Sequence, residues 1–285
     1  MPLPSRSEPR PAAGGSIPPD APHYAPAPVL VAEQRQLFQR VLGALSRGGV
    51  GFAVAGAFAF QHYTGIWRFT KDLDLFLPAE KIDVALTLCR TAGLVTEITD
   101  PVWLAKAWAG DYYVDLISGM SNGVFWVTPA WIEQARPGEV LGGRYRLLAP
   151  EEMILSKLFV TRRERFDGSD VCHLVYRCGE TLDWPRLIAS TGEHWEMLLW
   201  HLMLFRYAYP AAPGAVPRPV WRELMSRFAA GMGGAAPRAS FRGSLLDPLL
   251  FAPDVTEGGL ENLEDALRRR RLQARAAEGN PPAAR

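Results

Sequence analysis

The chain has 285 residues, 48% apolar and 21% charged, with a formal net charge of +1. That is enough for one large domain or two small ones with a real core, and it excludes both an extended charged chain and a global basic field of the kind that binds nucleic acid in bulk. Cys89, Cys172 and Cys178 lack zinc-ligand spacing, and their odd number argues against a disulfide framework. No apolar run reaches spanning length and the N-terminus has no signal-like apolar region, so the expectation is a cytoplasmic protein with no membrane partner.

In chain order, residues 1–28 are rich in Pro, Ala, Gly and Ser and read as a disordered tail. Val29 to Arg47 carries Leu30, Leu37, Phe38, Val41, Leu42 and Leu45 at helical spacing and stops at Gly48-Gly49. Phe52 to Ala55 is an apolar run of strand length. Gly56 then permits a sharp turn, and Ala57 to Tyr63 reads as a helix ending at Gly65. Asp72 to Leu77 alternates with period two, which puts Asp72, Asp74 and Phe76 on one strand face. Two carboxylates on one face repel each other and are tolerated where the site is wet or a cation sits between them. A glycine turn at a helix head supplies free N–H groups suited to a phosphate. Hard divalent cations take carboxylate and phosphate oxygens. This one stretch therefore has the parts to hold a triphosphate and its metal.

Pro78 opens a helix over residues 79–92, Leu94 to Ile98 reads as a short edge strand, and Pro101 to Ala109 is ambiguous, with a helical turn as the reading taken. Asp111 to Gly119 reads as a strand with Tyr113, Asp115 and Ile117 on one face; Asp115 is either a functional carboxylate or a surface acid on an edge. Val124 to Val127 reads as a further strand and Pro129 to Ala135 as a helical turn. Glu139 to Leu148 reads as a hairpin turning at Gly142-Gly143. Pro150 opens a helix to Thr161 that contains Lys157, and everything after it reads as helical. The later helices cover residues 170–178, one capped by Asp183, 193–209, 220–228 and 260–277. His62 reads as a packing histidine rather than a catalytic base, and His194 and His201 as core or surface histidines rather than ligands. The run Arg268 to Arg271 reads as a solvated face, with an RNA-backbone contact as the alternative.

Gly56-Ala57-Phe58-Ala59, His62, Gly65 and Arg68-Phe69-Thr70-Lys71-Asp72-Leu73-Asp74 together resemble a Gly-x-Ala … His-x-x-Gly … Arg-x-Thr-x-Asp-(Ile/Leu)-Asp pattern. That pattern belongs to the DNA-polymerase-β-like nucleotidyltransferase superfamily, especially its small bacterial branch that includes the AbiEii-type toxins. Ala57 stands where the wider superfamily often has Ser, which leaves only backbone donors at the turn. Leu148-Ala149-Pro150-Glu151, Lys157-Leu158, Arg163 and Asp167-x-x-Asp170 resemble a second block of the same group, with Phe166 where that block often has Lys. The resemblance covers about residues 35–175.

The resemblance implies an α+β fold, a nucleotidyltransferase-like mixed β-sheet flanked by helices and followed by a helical C-terminal half. The expected layout is a tail over 1–28, a catalytic domain over 29–149 and a helical domain over 150–285 with an irregular end. It implies Asp72, Asp74 and Asp115 as catalytic, metal-holding carboxylates for Mg2+ or Mn2+, with Asp115 also able to take a proton from the attacking hydroxyl. Gly56, Ala57, Arg68, Thr70 and Lys157 would face the nucleotide; Arg68 instead has an ion pair with Asp72 or Asp74 open to it, and Lys157 a place on the surface. The implied partners are a nucleoside triphosphate and an acceptor: tRNA or another RNA end, a partner protein, or a small molecule. An inactive, antitoxin-like binding protein and a metal-dependent phosphohydrolase stand as alternatives.

Overall fold

The computed structural model describes residues 22–232 and 240–277. The first part of the chain runs β1 (His23–Tyr24), α1 (Ala32–Arg47), β2 (Ala53–Val54), α2 (Gly56–Thr64), β3 (Ile66–Trp67), β4 (Asp72–Phe76), α3 (Ile82–Thr91), β5 (Val95–Asp100), β6 (Leu104–Ala109) and β7 (Tyr112–Ile117). It continues through α4 (Pro129–Gln134), β8 (Arg136–Val140), β9 (Gly143–Leu147), α5 (Pro150–Lys157), β10 (Thr161–Arg162), β11 (Arg165–Phe166) and α6 (Gly168–Cys178). The remainder is helical: α7 (Trp184–Thr191), α8 (Trp195–Ala208), α9 (Arg218–Gly231), α10 (Gly243–Leu246), α11 (Ala252–Thr256) and α12 (Leu263–Ala277). The fold is α+β, a central mixed sheet flanked by helices and followed by a helical C-terminal part.

The sheet has seven strands in the order β5-β6-β7-β4-β2-β9-β8. β4 pairs parallel with β7, β2 pairs parallel with β9, and the remaining pairs are antiparallel. Period-two alternation divides the sheet into two chemical faces. Leu73, Leu75, Ala105, Ala107, Val114 and Leu116 are all at most 1% exposed and form the core side. Helices α1 and α3 pack against strands β5 to β7, and α1 buries the predicted stripe of Leu37, Phe38, Val41, Leu42 and Leu45. The opposite side of β4, β6 and β7 carries Asp72, Asp74, Lys106, Trp108, Tyr113 and Asp115.

Several elements differ from the sequence reading. Residues 1–21 lie outside the described residues. Within the expected tail, His23–Tyr24 is a strand, because Ile66–Trp67 offers it an unpaired edge. Gln61 Nε2 also donates to the Ala25 carbonyl at 2.9 Å. Pro101–Ala109 is not a helical turn: Leu104–Ala109 is a strand between β5 and β7. Its core side is made of Ala105 and Ala107, small residues that carry little strand signal. The hairpin turns at Leu141-Gly142, with Val140 opposite Gly143 and positive φ at both turn residues (55° and 84°). Val124–Val127 forms no strand; a lone bridge joins Gly119 to Trp126. Helix α5 ends at Lys157 rather than Thr161, because Thr161 and Arg162 leave it to pair with Phe166 and Arg165.

A buried ionic ladder ties the helices to the segment leading into β4. Lys157 Nζ on α5 donates to Asp167 Oδ2 and Asp170 Oδ2, both at 2.7 Å. Asp170 on α6 also accepts a two-pronged contact from Arg68, at 3.1 and 2.7 Å. Arg165 closes the ladder on Asp167. The sequence reading put Lys157 toward a triphosphate or on the surface, and Arg68 toward a phosphate or on Asp72 or Asp74. Here both are committed to Asp170, and Lys157 is only 6% exposed. Removing one partner of a buried ion pair leaves uncompensated charge. Lys157→Met is therefore expected to lower unfolding free energy by about 3–5 kcal/mol, measured by urea denaturation; a change within the noise of the midpoint would sink this assignment.

Candidate active site

Strands β4 and β7 run parallel and in register, so Asp74 lies directly beside Asp115 and Asp72 beside Tyr113. All three carboxylates are on the side away from α1 and α3. Each of Asp72, Asp74 and Asp115 brings a carboxylate oxygen to a common point, and those oxygens lie within 4.8 Å of one another. The donor set is all hard oxygen, at a spacing that suits a divalent cation such as Mg2+ or Mn2+ and gives a soft metal nothing to prefer.

The electrostatics fit the same description. Burial, then the neighbouring Asp72 and Asp115, push the Asp74 carboxyl up to about 7, although Lys157 and Arg165 pull it part of the way back. Burial also raises Asp115, Lys106 pulls it back, and it settles at about 6. Tyr113 is raised by burial and by the three aspartates. These are the marks of negative charge assembled without enough positive charge to match it.

The glycine bend adjoins this cluster. Gly56 has φ +52°, and a Cβ added there would fall on the Asp74 carboxylate. Only glycine fits, both for its left-handed backbone and for the closeness of the acid. The Ala55 N–H donates to the Asp74 carbonyl at 2.9 Å, which ties the bend to β4. Helix α2 starts at Gly56, so its first N–H groups, including that of Ala57, have no partner one turn earlier in the helix. Thr70 donates its hydroxyl to Asp72 Oδ1 and is itself held by Gln34 Nε2, which donates to the Thr70 carbonyl at 2.6 Å. Thr70 thus touches a carboxylate of the cluster.

Arg68 and Lys157 are held on the ladder, not at the trio. The sequence reading did not single out Lys106, whose Nζ lies 2.6 Å from Asp115 Oδ1, because its strand was taken for a helical turn. Gln34 was also missed: a glutamine on an otherwise amphipathic helix carries no signal until its partner is known. Among the histidines, His62 is exposed beside Tyr63. His194 is buried against Phe125 and Phe159, and His201 Nδ1 is 2.8 Å from the Met197 carbonyl. The basic run is half inward. Arg268 bonds the Ser121 carbonyl and Asp100, Arg271 lies over the Trp126 ring at 4.3 Å, and Arg269 and Arg270 face solvent.

In the metal-free protein the raised carboxyls bind protons more tightly folded than unfolded, where an aspartate titrates near about 3.9. Their contribution therefore favours the folded state below about pH 4 and is lost as pH rises through about 6 to 7. Asp74→Asn removes the charge and keeps the shape. With chelator present, its urea midpoint should rise relative to the parent as pH goes from about 5 to about 8. A variant less stable than the parent at the upper pH would contradict this.

A comparison with curated proteins gives no match. Among solved structures, the chain is similar to the antibiotic-resistance factor ANT(2″)-Ia, at 18% identity over 71% of this chain and 97% of that one, TM-score 0.36. It is similar to the lincosamide antibiotic adenylyltransferase LnuA, at 14% over 50% and 96%, TM-score 0.37. It is also similar to JHP933 from Helicobacter pylori, at 15% over 71% and 97%, TM-score 0.36. Likenesses this low carry no acceptor or residue role over to this chain. Residues 34–180, just over half of the chain, match the family described as nucleotidyl transferase of unknown function (DUF2204), and the chain belongs to that family.

Proposed function

We propose that this protein is a divalent-metal-dependent nucleotidyltransferase that moves a nucleoside monophosphate from an NTP to an acceptor hydroxyl. The observation that carries the reading is the convergence of Asp72, Asp74 and Asp115 beside the Gly56 bend. Asp72 and Asp74 would hold the cation, with Asp115 completing the set. A divalent cation bound there supplies charge neutralisation for the triphosphate. The N–H groups of the bend and of Ala57 meet the β- and γ-phosphates. Asp115 takes the proton of the acceptor hydroxyl as its oxygen attacks the α-phosphorus in line. A new P–O bond forms, the bond between the α-phosphorus and the bridging oxygen breaks, and pyrophosphate leaves. Thr70 fixes the Asp72 carboxylate.

The acceptor is an RNA end such as that of tRNA, a protein hydroxyl or a small molecule. The branch we favour is the AbiEii-like one. Its support is that Lys157 meets both Asp167 and Asp170, so the second block of the resemblance forms one connected unit.

The test is incubation with each α-labelled NTP and Mg2+ or Mn2+, with and without total RNA or cell extract. Label transfer with pyrophosphate release is expected. Orthophosphate release would instead point to a phosphohydrolase, and binding without turnover to an inactive binding protein. Asp74→Ala should reduce transfer by at least about a thousandfold while leaving the far-ultraviolet circular dichroism unchanged. Unchanged transfer in that variant would remove the trio from the mechanism.

A further inference from the structure

The register of three strands places one cation in the row of acids. Lys106 on β6 lies directly opposite Asp115 on β7, which lies beside Asp74 on β4. The next row is Trp108, Tyr113 and Asp72. Lys106 Nζ is 2.6 Å from Asp115 Oδ1, 3.9 Å from the centre of the Tyr113 ring and 5.6 Å from that of Trp108. The two side chains of the pair are 13% and 12% exposed, so the contact is shielded from water on most sides. An ammonium gripped by a carboxylate and an aromatic face has little rotational freedom.

We propose that Lys106 is a positioning residue that holds the Asp115 carboxylate by one oxygen and leaves the other turned toward the shared cation point. The proposal rests on the nucleotidyl-transfer reading. Lys106 touches neither substrate nor cation in this role; it acts through Asp115. Two consequences follow from charge and geometry. The ammonium cancels one of the three negative charges, so it limits how tightly the trio binds a divalent ion. It also opposes the repulsion that would swing Asp115 away from Asp72 and Asp74. Losing it should therefore tighten ion binding and slow chemistry together, opposite signs that a lysine serving only the fold would not produce.

Lys106→Met keeps the length and removes the charge, and Lys106→Arg keeps the charge. Mn2+ binding is measured by calorimetry without nucleotide, and kcat and KM by label transfer. For Lys106→Met, kcat should fall by about 10–100-fold, the range for losing a partner of a metal ligand. KM for the NTP should stay within about twofold, and Mn2+ should bind more tightly by about 3–10-fold. Lys106→Arg should return the Mn2+ affinity toward the parent value. Unchanged kcat in Lys106→Met overturns the proposal, as does Mn2+ affinity that is unchanged or weaker. Should Lys106→Met fail to fold, Lys106→Gln is read in the same assays; failure of both while Lys106→Arg folds makes Lys106 a fold residue and also overturns it. If the parent transfers no label to any acceptor, the nucleotidyl-transfer reading fails, while the calorimetry still judges Lys106.

Discussion

Three like charges held on one sheet face are the constraint around which the rest of this structure is arranged. Carboxylates within a few ångströms repel, and burial makes the repulsion stronger by thinning the water between them. Asp74 and Asp115 stay adjacent because they ride on parallel strands whose register leaves them no alternative. That register is enforced from the other face. A slip of one residue would turn Leu73, Leu75, Val114 and Leu116 out of the core and the acids into it. The hydrophobic effect, summed over those buried leucines and valines, offsets the electrostatic cost of the site. The site is therefore a strain that the core can hold, in the manner of other functional positions.

The surroundings extend the same logic. Gly56 comes so close to Asp74 that no side chain fits between them. A bend with free N–H groups and a cluster of acids thus share one small volume. Gln34 fixes the Thr70 carbonyl, and Thr70 fixes Asp72. Lys106 fixes Asp115. Asp72 and Asp115 are each steered by a neighbour, and Asp74 is set against the backbone of the bend. The helical half contributes at one remove, through Asp170 on Arg68, which stands two residues before Thr70.

Much of this was legible in the sequence, for physical reasons that differ by residue. The face shared by Asp72 and Asp74 follows from period-two geometry alone, and the turn at Gly56 from an apolar strand meeting a glycine. Asp115 was legible only through the resemblance, because nothing local says which strand lies beside β4. Arg68 was legible as a cation for a phosphate or for Asp72 or Asp74, and Lys157 as one for a triphosphate or the surface, but not as partners of one aspartate, since Asp170 lies 102 residues beyond Arg68. Lys106 was hidden by composition. Its strand buries alanines, and alanine suits a helix as well as a strand. The tail reading ran too far for a similar reason. A two-residue strand such as His23–Tyr24 has no period, and only its partner at Ile66–Trp67 makes it one.

The trio and the Asp167–Asp170 pair are both acidic clusters, and their electrostatics separate them. Asp167 and Asp170 sit among Lys157, Arg68 and Arg165. Burial would raise Asp167, but Lys157 and Arg165 outweigh it and hold its carboxyl at about 2. That cluster is already matched by its own cations, and an added metal ion would find no surplus charge to meet. The trio differs: Lys106 touches Asp115, Lys157 and Arg165 act on Asp74 from further off, and burial with the neighbouring acids still raises the Asp74 carboxyl to about 7. A surplus of negative charge, all-oxygen donors and an adjacent bend of free N–H groups are features that suit a divalent cation and phosphate oxygens. The same residue type, aspartate, thus sits in two electrostatic settings, and what separates them is how many cations make direct contact with the carboxylates.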